Sequence, residues 1–369
     1  MIDLTWTKTT VDLIVFFILI YIFFVVLYYK KYAYRPLWTI TKIDPGLTFY
    51  AFILILIVAS SDDSDWFSYQ EDVWEYDFNS LYQHFEPIYG VIIGLVNKNY
   101  LLFRIVVWGG AFLLTCNAYK RFEVNRNVGI FFIITAFLLT FNYARATLGM
   151  SCYCVGLSFL LKPAQGKKLF SYILALFFFF CAYSFHHSLL ILVGMTFAIF
   201  LPLDRPIIIV LALSLIPTAA AILYGYFELA EFLSDEDVAE KLRLYGELEK
   251  ASWNIYGTIR YTIQYGAFYF PIIVNTITVI KNKTYLDASF LKVNNVVLAT
   301  VLTSFAFLFM GFNNLIFVYR ILFMTMIPTS ILTVYLYQTN VLKRGMYTAI
   351  LIWGVAGNLF PLLYGIYIL

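Results

Sequence analysis

Charge is what this sequence has least of. Asp, Glu, Lys and Arg make up 13% of its 369 residues, against about 25% in soluble domains. That is too little to cover a water-facing surface, so an ordinary soluble globule is excluded. Alternating segments of about ten residues, the mark of a membrane β-barrel, are also missing. No glycine-rich phosphate cradle occurs, and no motif-level repeat is visible. The four cysteines, Cys116, Cys152, Cys154 and Cys181, all fall in apolar runs, so no disulfide framework is expected. Cys152 and Cys154 point to different sides of a helix and lack the partners a zinc site needs; they read as small packing residues. The opening "MIDLTWTKTT" lacks a signal peptide's basic start and cleavage site, so the first apolar run is expected to be retained, with the N-terminus outside.

Apolar residues are present in quantity, at 62% of the chain, in runs near the ~20 residues that cross a bilayer as a helix. The expected class is an all-α polytopic membrane protein, with residues 1–369 forming a single integral membrane domain. The runs lie at 11–29, 41–60, 100–118, 128–142, 144–161, 169–185, 188–201, 206–224, 259–280, 293–311, 321–338 and 346–366. They make about twelve spans, with both termini on the outer face.

Basic residues give the orientation. Alternate loops divide the 25 Lys and Arg as 16 against 9, and only Asp44, Glu123, Asp204 and Asp287 of the 22 acids lie on the basic side. That side is expected to be cytoplasmic. Its connections are short and leave no room for a soluble catalytic domain, so function is expected in the membrane or at its outer surface.

Two outer loops are longer, 61–99 and 225–258. In the first, Asp65, Tyr69 and Asp72 share one helical face beside an aromatic stripe of Trp66, Tyr69, Val73 and Tyr76, as on a helix at the interface. "PIYGVIIGLVN" (87–97) then opens on proline, favoured at a first helical position, and is too short to span; it is expected to dip in and return. In the second loop, Ser234 and Asp237 resemble a capping box, followed by a Val238, Leu242 and Tyr245 stripe. An amphipathic helix over the outer mouth or a solvated linker both fit.

Four arginines lie at outer helix ends where the orientation rule does not want them: Arg104, Arg145, Arg260 and Arg320. A mid-membrane charge costs roughly 2.5–3.5 kcal/mol, less near the interface. Arginine's planar donor fork matches phosphate oxygens, so arginines converging there would hold a diphosphate. Snorkelling to lipid phosphates is the plain alternative. "SFHHSLLIL" (184–192) places His186 and His187 at an outer turn; a histidine can accept a hydroxyl proton, and at most one of two neighbours would face a cavity. Gly149 and Gly156 read as close helix packing. Asn275, Gln264 and Asn358 read as bonds between helices, or as a substrate lining.

"DWFSY" (65–69), "FEP" (85–87), "NYARATLGM" (142–150), "SFHHSLLIL" and "VYRILFMTMIP" (318–328) together resemble the EpsG/Wzy-like family of polysaccharide polymerases, in order and across most of the chain. The sequence departs where the family's Gln follows the arginine, here Ala146, and where its small Ala is Gly149. The resemblance implies a GT-C-like membrane glycosyltransferase in the bacterial cytoplasmic membrane, its active site facing the periplasm or exterior. Its substrate would be an undecaprenyl-diphosphate-linked oligosaccharide, with membrane lipid and a chain-length regulator as partners, no nucleic acid, no metal and no other cofactor. Arg145 and Arg320 would hold the leaving diphosphate, with Arg260, placed by its charge and not by a motif, assisting. His186, or a carboxylate from Asp65 or Glu86, would take the acceptor proton, and Tyr69 would stack on sugar or belong to an interfacial aromatic belt. A ligase or single-sugar transferase using the same donor, or a lipid-linked oligosaccharide flippase, are the competing readings.

Overall fold

The computed structural model describes residues 8–33, 43–58, 87–203, 205, 208–209, 255–309 and 315–367, and every regular element among them is helical. In chain order the α-helices are α1 (Lys8–Tyr32), α2 (Pro45–Val58), α3 (Pro87–Val96), α4 (Tyr100–Arg121), α5 (Arg126–Phe137), α6 (Ala144–Leu161), α7 (Lys168–Phe185), α8 (Leu190–Met195), α9 (Ile255–Asn282), α10 (Ala288–Phe309), α11 (Leu315–Phe323), α12 (Met326–Gln338) and α13 (Arg344–Tyr367). Among the described residues seven of them, α1, α4, α6, α7, α9, α10 and α13, are long and apolar enough to cross a bilayer, and four shorter apolar segments accompany them. The polytopic helical class therefore stands. Most of the expected run 206–224, of the loop 225–258 and of 61–99 lies outside the described residues.

The peripheral helices divide their faces between protein and hydrocarbon. On α1, Phe17, Tyr21, Phe24 and Tyr32 are buried, while Phe16, Leu19, Phe23 and Val26 are exposed. Such an apolar outer face is stable only against lipid. Helix α6 lies deep inside: every side chain from Thr147 to Ser158 is buried. It packs on α4 and α7, while α13 packs on α9 and α5.

Glycine sets the α6–α7 contact. A β-carbon on Gly149 would lie 2.9 Å from the Ala182 carbonyl oxygen and clash with Leu189. One on Gly156 would lie 2.9 Å from the Phe179 ring and 3.1 Å from the Ala175 carbonyl. Gly149 faces Ala182 and Gly156 faces Ala175, so both pairs obey one antiparallel register. This is small-residue packing as expected. Gly149→Leu should force the helices apart, because a backbone oxygen cannot rotate away. We expect a loss of about 1–3 kcal/mol, read as a lower unfolding midpoint in detergent. Gly345→Ala, where a β-carbon meets nothing within 4 Å, should leave it unchanged.

One end of the bundle is laced by ion pairs. Asp44 precedes Pro45 and caps α2, accepting from the Gly46 and Leu47 amides. It also holds Lys31 at 2.5 Å and accepts from the Tyr32 hydroxyl. Burial pushes its carboxyl pKa up, but these hydrogen bonds outweigh burial and hold it below the ordinary value. Asp287 caps α10 through the Ser289 amide, at 2.8 Å. Lys162 lies between Asp287 at 3.4 Å and Glu123 at 3.0 Å. The Asn127 side chain accepts from the Asp44 amide, and the Asn125 amide donates to Gln338. Three of the four acids counted on the basic side thus sit at one end, each bonded to a lysine; Asp204 lies outside the described residues.

At the opposite end the helices are broken where the sequence suggested continuity. The run 128–142 is helical only to Phe137 and closes in a 3-10 turn, Leu138–Asn142. Non-helical backbone at membrane depth needs partners inside the protein, and it has them. The Leu139 amide donates to Asn358 Oδ1 at 3.1 Å, and Trp108 Nε1 donates to the Phe141 carbonyl. Asn358 Nδ2 also reaches the Tyr21 hydroxyl and the Thr135 carbonyl, both at 3.0 Å, tying α1, α5 and α13. Asn275 similarly joins α9 to α12 through Thr333, at 2.8 Å. Both asparagines bond between helices. The run 188–201 is a 3-10 turn, the short α8 and a second 3-10 turn. The run 321–338 is interrupted at Met324 and Thr325, where Thr325 Oγ1 turns back onto the Leu322 carbonyl at 2.6 Å.

Candidate active site at the end opposite the ion pairs

The break after α5 delivers the chain to Arg145, the second residue of α6, at the end remote from Lys162. Its guanidinium carbon lies 5.2 Å from the centroid of the buried Tyr89 ring, a cation–π contact. Tyr89 belongs to α3, a ten-residue helix that starts at Pro87. The Tyr89 ring meets Phe103 of α4 edge-on at 5.8 Å.

Arginine in the first turn of a helix opposes the macrodipole, at about 0.3–1 kcal/mol. Tyr143, at the N-cap, makes no side-chain capping bond. Positive charge therefore sits at a helix start whose N-cap side chain makes no capping bond. An anion is favoured at such a helix start.

His186 is brought to the same place by the glycine register. It ends α7 in an extended conformation, with its amide still bonded to the Ala182 carbonyl at 3.2 Å, and starts the turn His187–Leu189. Arg145 lies one turn beyond Gly149 on α6, and His186 one turn beyond Ala182 on α7. The register that pairs Gly156 with Ala175 and Gly149 with Ala182 sets Arg145 level with His186. His187 is turned elsewhere: it is exposed, with its ring stacked on Tyr183 at 4.8 Å. The two histidines are thus distinguished, as their adjacency required.

Arg320 sits in the last turn of α11, before the break, and is exposed. It closes a short helix instead of opening a span. The Tyr143 ring meets Phe323 edge-on at 5.2 Å. Tyr143 is two residues before Arg145 and Phe323 three after Arg320, so this contact joins the two arginine-bearing segments. Arg260 falls near the start of α9; its side chain lies outside the described residues. So do Asp65, Tyr69 and Glu86, the last immediately before Pro87.

Tyr89 and Tyr143 were not singled out as site residues by sequence. Tyr89 lies two residues past the "FEP" motif, on the first turn of the helix that Pro87 opens, and that offset was the available signal. Tyr143 lies within "NYARATLGM" itself.

Fold and site together define a polytopic helical membrane protein with a cationic, histidine-bearing end distinct from its lysine–carboxylate end. Residues 46–360 match the EpsG family, and the chain belongs to it. This is a family of Wzy-like polysaccharide polymerases. Comparison with curated proteins and with solved structures finds no match.

Proposed function

We propose that this protein is a GT-C-like glycosyltransferase of about twelve spans that polymerises undecaprenyl-diphosphate-linked oligosaccharide units at the outer face of the bacterial cytoplasmic membrane. The observation that carries the reading is the glycine-set register that places Arg145 level with His186, at the end away from the lysine-rich one. In the reaction, an acceptor sugar hydroxyl forms a bond to the anomeric carbon of the donor chain. The bond from that carbon to the diphosphate oxygen breaks, and its electron pair leaves with the diphosphate. His186 takes the acceptor proton, with Asp65 and Glu86 as the alternative bases.

Negative charge on the leaving oxygens grows as the bond breaks, so contacts from Arg145, Arg320 and Arg260 strengthen in the transition state. These guanidinium groups supply the charge neutralisation, without a metal in the scheme. A direct displacement inverts the anomeric centre. Tyr69 stacks on a sugar face.

The test is incubation of detergent-purified protein with synthetic lipid-linked repeat units. A ladder of products differing by one repeat is expected. A single addition would indicate a ligase or single-sugar transferase, and movement across a vesicle membrane without covalent change would overturn the enzyme reading.

A further inference from the structure

Arg104 lies one turn into α4 and takes no part in the scheme above. One guanidinium nitrogen, Nη2, donates to the Leu56 carbonyl at 2.8 Å. Leu56 is in the last turn of α2, where carbonyls lack partners within the helix. That contact uses one of arginine's five donors. Among the described residues, its buried Nε has no hydrogen-bond partner and no carboxylate pairs with Arg104. Arg121, at the other end of the same helix, shows the contrast: its Nε is satisfied by Ser158 Oγ at 2.7 Å, and its guanidinium carbon lies 3.3 Å from the Phe159 ring centroid.

The surroundings of Arg104 are of two kinds. On one side, Leu101, Leu102, Ile105 and Val106 are exposed apolar residues of a membrane-crossing helix, and so face lipid. On the other, an aromatic bridge leads to the candidate active site. The guanidinium carbon of Arg104 is 5.9 Å from the Tyr100 ring, which stacks on Phe103 at 5.8 Å; Phe103 meets Tyr89, and Tyr89 meets Arg145. Two guanidinium groups therefore flank one aromatic wall, one level with His186 and the other at the lipid boundary.

We propose that Arg104 anchors a second isoprenoid diphosphate, that of the acceptor, with its tail lying along the exposed Leu101, Ile105 face. This rests on the polymerase reading, because polymerisation engages two lipid diphosphates at once. One leaves, and needs its charge neutralised beside the reacting carbon; the other stays intact, and needs only to be held. Arg145, level with His186, suits the first. Arg104, set against hydrocarbon, suits the second.

Binding stoichiometry tests this without turnover. Native mass spectrometry of the full chain with farnesyl diphosphate as probe should show two molecules on the wild type and one on Arg104→Gln. Arg104→Lys keeps the charge and can still reach Leu56, but loses the fork; it should keep the wild-type unfolding midpoint and bind the second molecule about tenfold more weakly. In the polymerisation assay, Arg104→Gln should raise the acceptor KM about tenfold or more and leave the donor KM unchanged. Several results would overturn the proposal. One is a single molecule on the wild type; another is two on Arg104→Gln. Equal occupancy by phosphatidylglycerol would make the site a bulk-lipid contact. A joint fall in both substrates' kinetics with the unfolding midpoint would leave Arg104 as only a cap of α2. Absence of any ladder from the wild type would sink the polymerase reading, while the stoichiometry would still decide whether Arg104 binds diphosphate.

Discussion

Arg145→Gln should cut polymerisation by about 10²–10³-fold, the usual loss when one preorganised donor to a developing anion is removed, while leaving the protein folded. The second half of that expectation gives the first its force. The contact of Arg145 with the buried Tyr89 ring, at 5.2 Å, contributes about 0.5–1 kcal/mol to the fold. Its place in the first turn of α6 costs about 0.3–1 kcal/mol against the helix dipole. These two contributions offset each other, so their joint loss should shift the unfolding midpoint little. Arg145→Lys keeps the charge but not the bidentate fork, and should fall between wild type and Arg145→Gln. Parallel loss of stability and activity would make Arg145 a packing residue and remove it from the scheme.

The lysine-rich end of the bundle could be read in the sequence because it rests on counting. Asp44, Glu123 and Asp287 were placed on the lysine-rich side by position alone, and each is bonded there to Lys31 or Lys162. The α6–α7 register is legible too, in two glycines and two alanines each seven apart. The break after Phe137 was not legible. What permits it is Trp108 and Asn358, whose indole and amide satisfy Phe141 and Leu139 from 33 and 219 residues away. Apolar periodicity cannot reveal a backbone group rescued from so far along the chain. The same limit hid the interruption at Met324 and Thr325, which puts Arg320 at the end of a short helix. In both places the irregular backbone lies next to an arginine singled out for chemistry. That is where local rules are expected to yield to function.

His186→Ala and His187→Ala should separate cleanly despite being neighbours. His187 is exposed, and its ring is stacked on Tyr183 at 4.8 Å; its removal deletes one surface contact and should leave polymerisation near wild type. His186 is half-buried, ends α7 and stands level with Arg145. A general base in this position contributes about 10²–10⁴-fold, so its removal should slow the chemical step by that much. Single-turnover measurement with preloaded donor isolates that step from substrate binding and product release. The result also arbitrates among the bases. If His186→Ala turns over at the wild-type rate, the proton goes to a carboxylate, and Asp65→Asn or Glu86→Gln must carry the loss instead. If His186→Ala is slow and both carboxylate variants are fast, the turn following α7 carries the base, and the glycine register between α6 and α7 sets the distance from base to leaving group. Gly149→Leu would then reduce the rate even in the fraction of protein that remains folded.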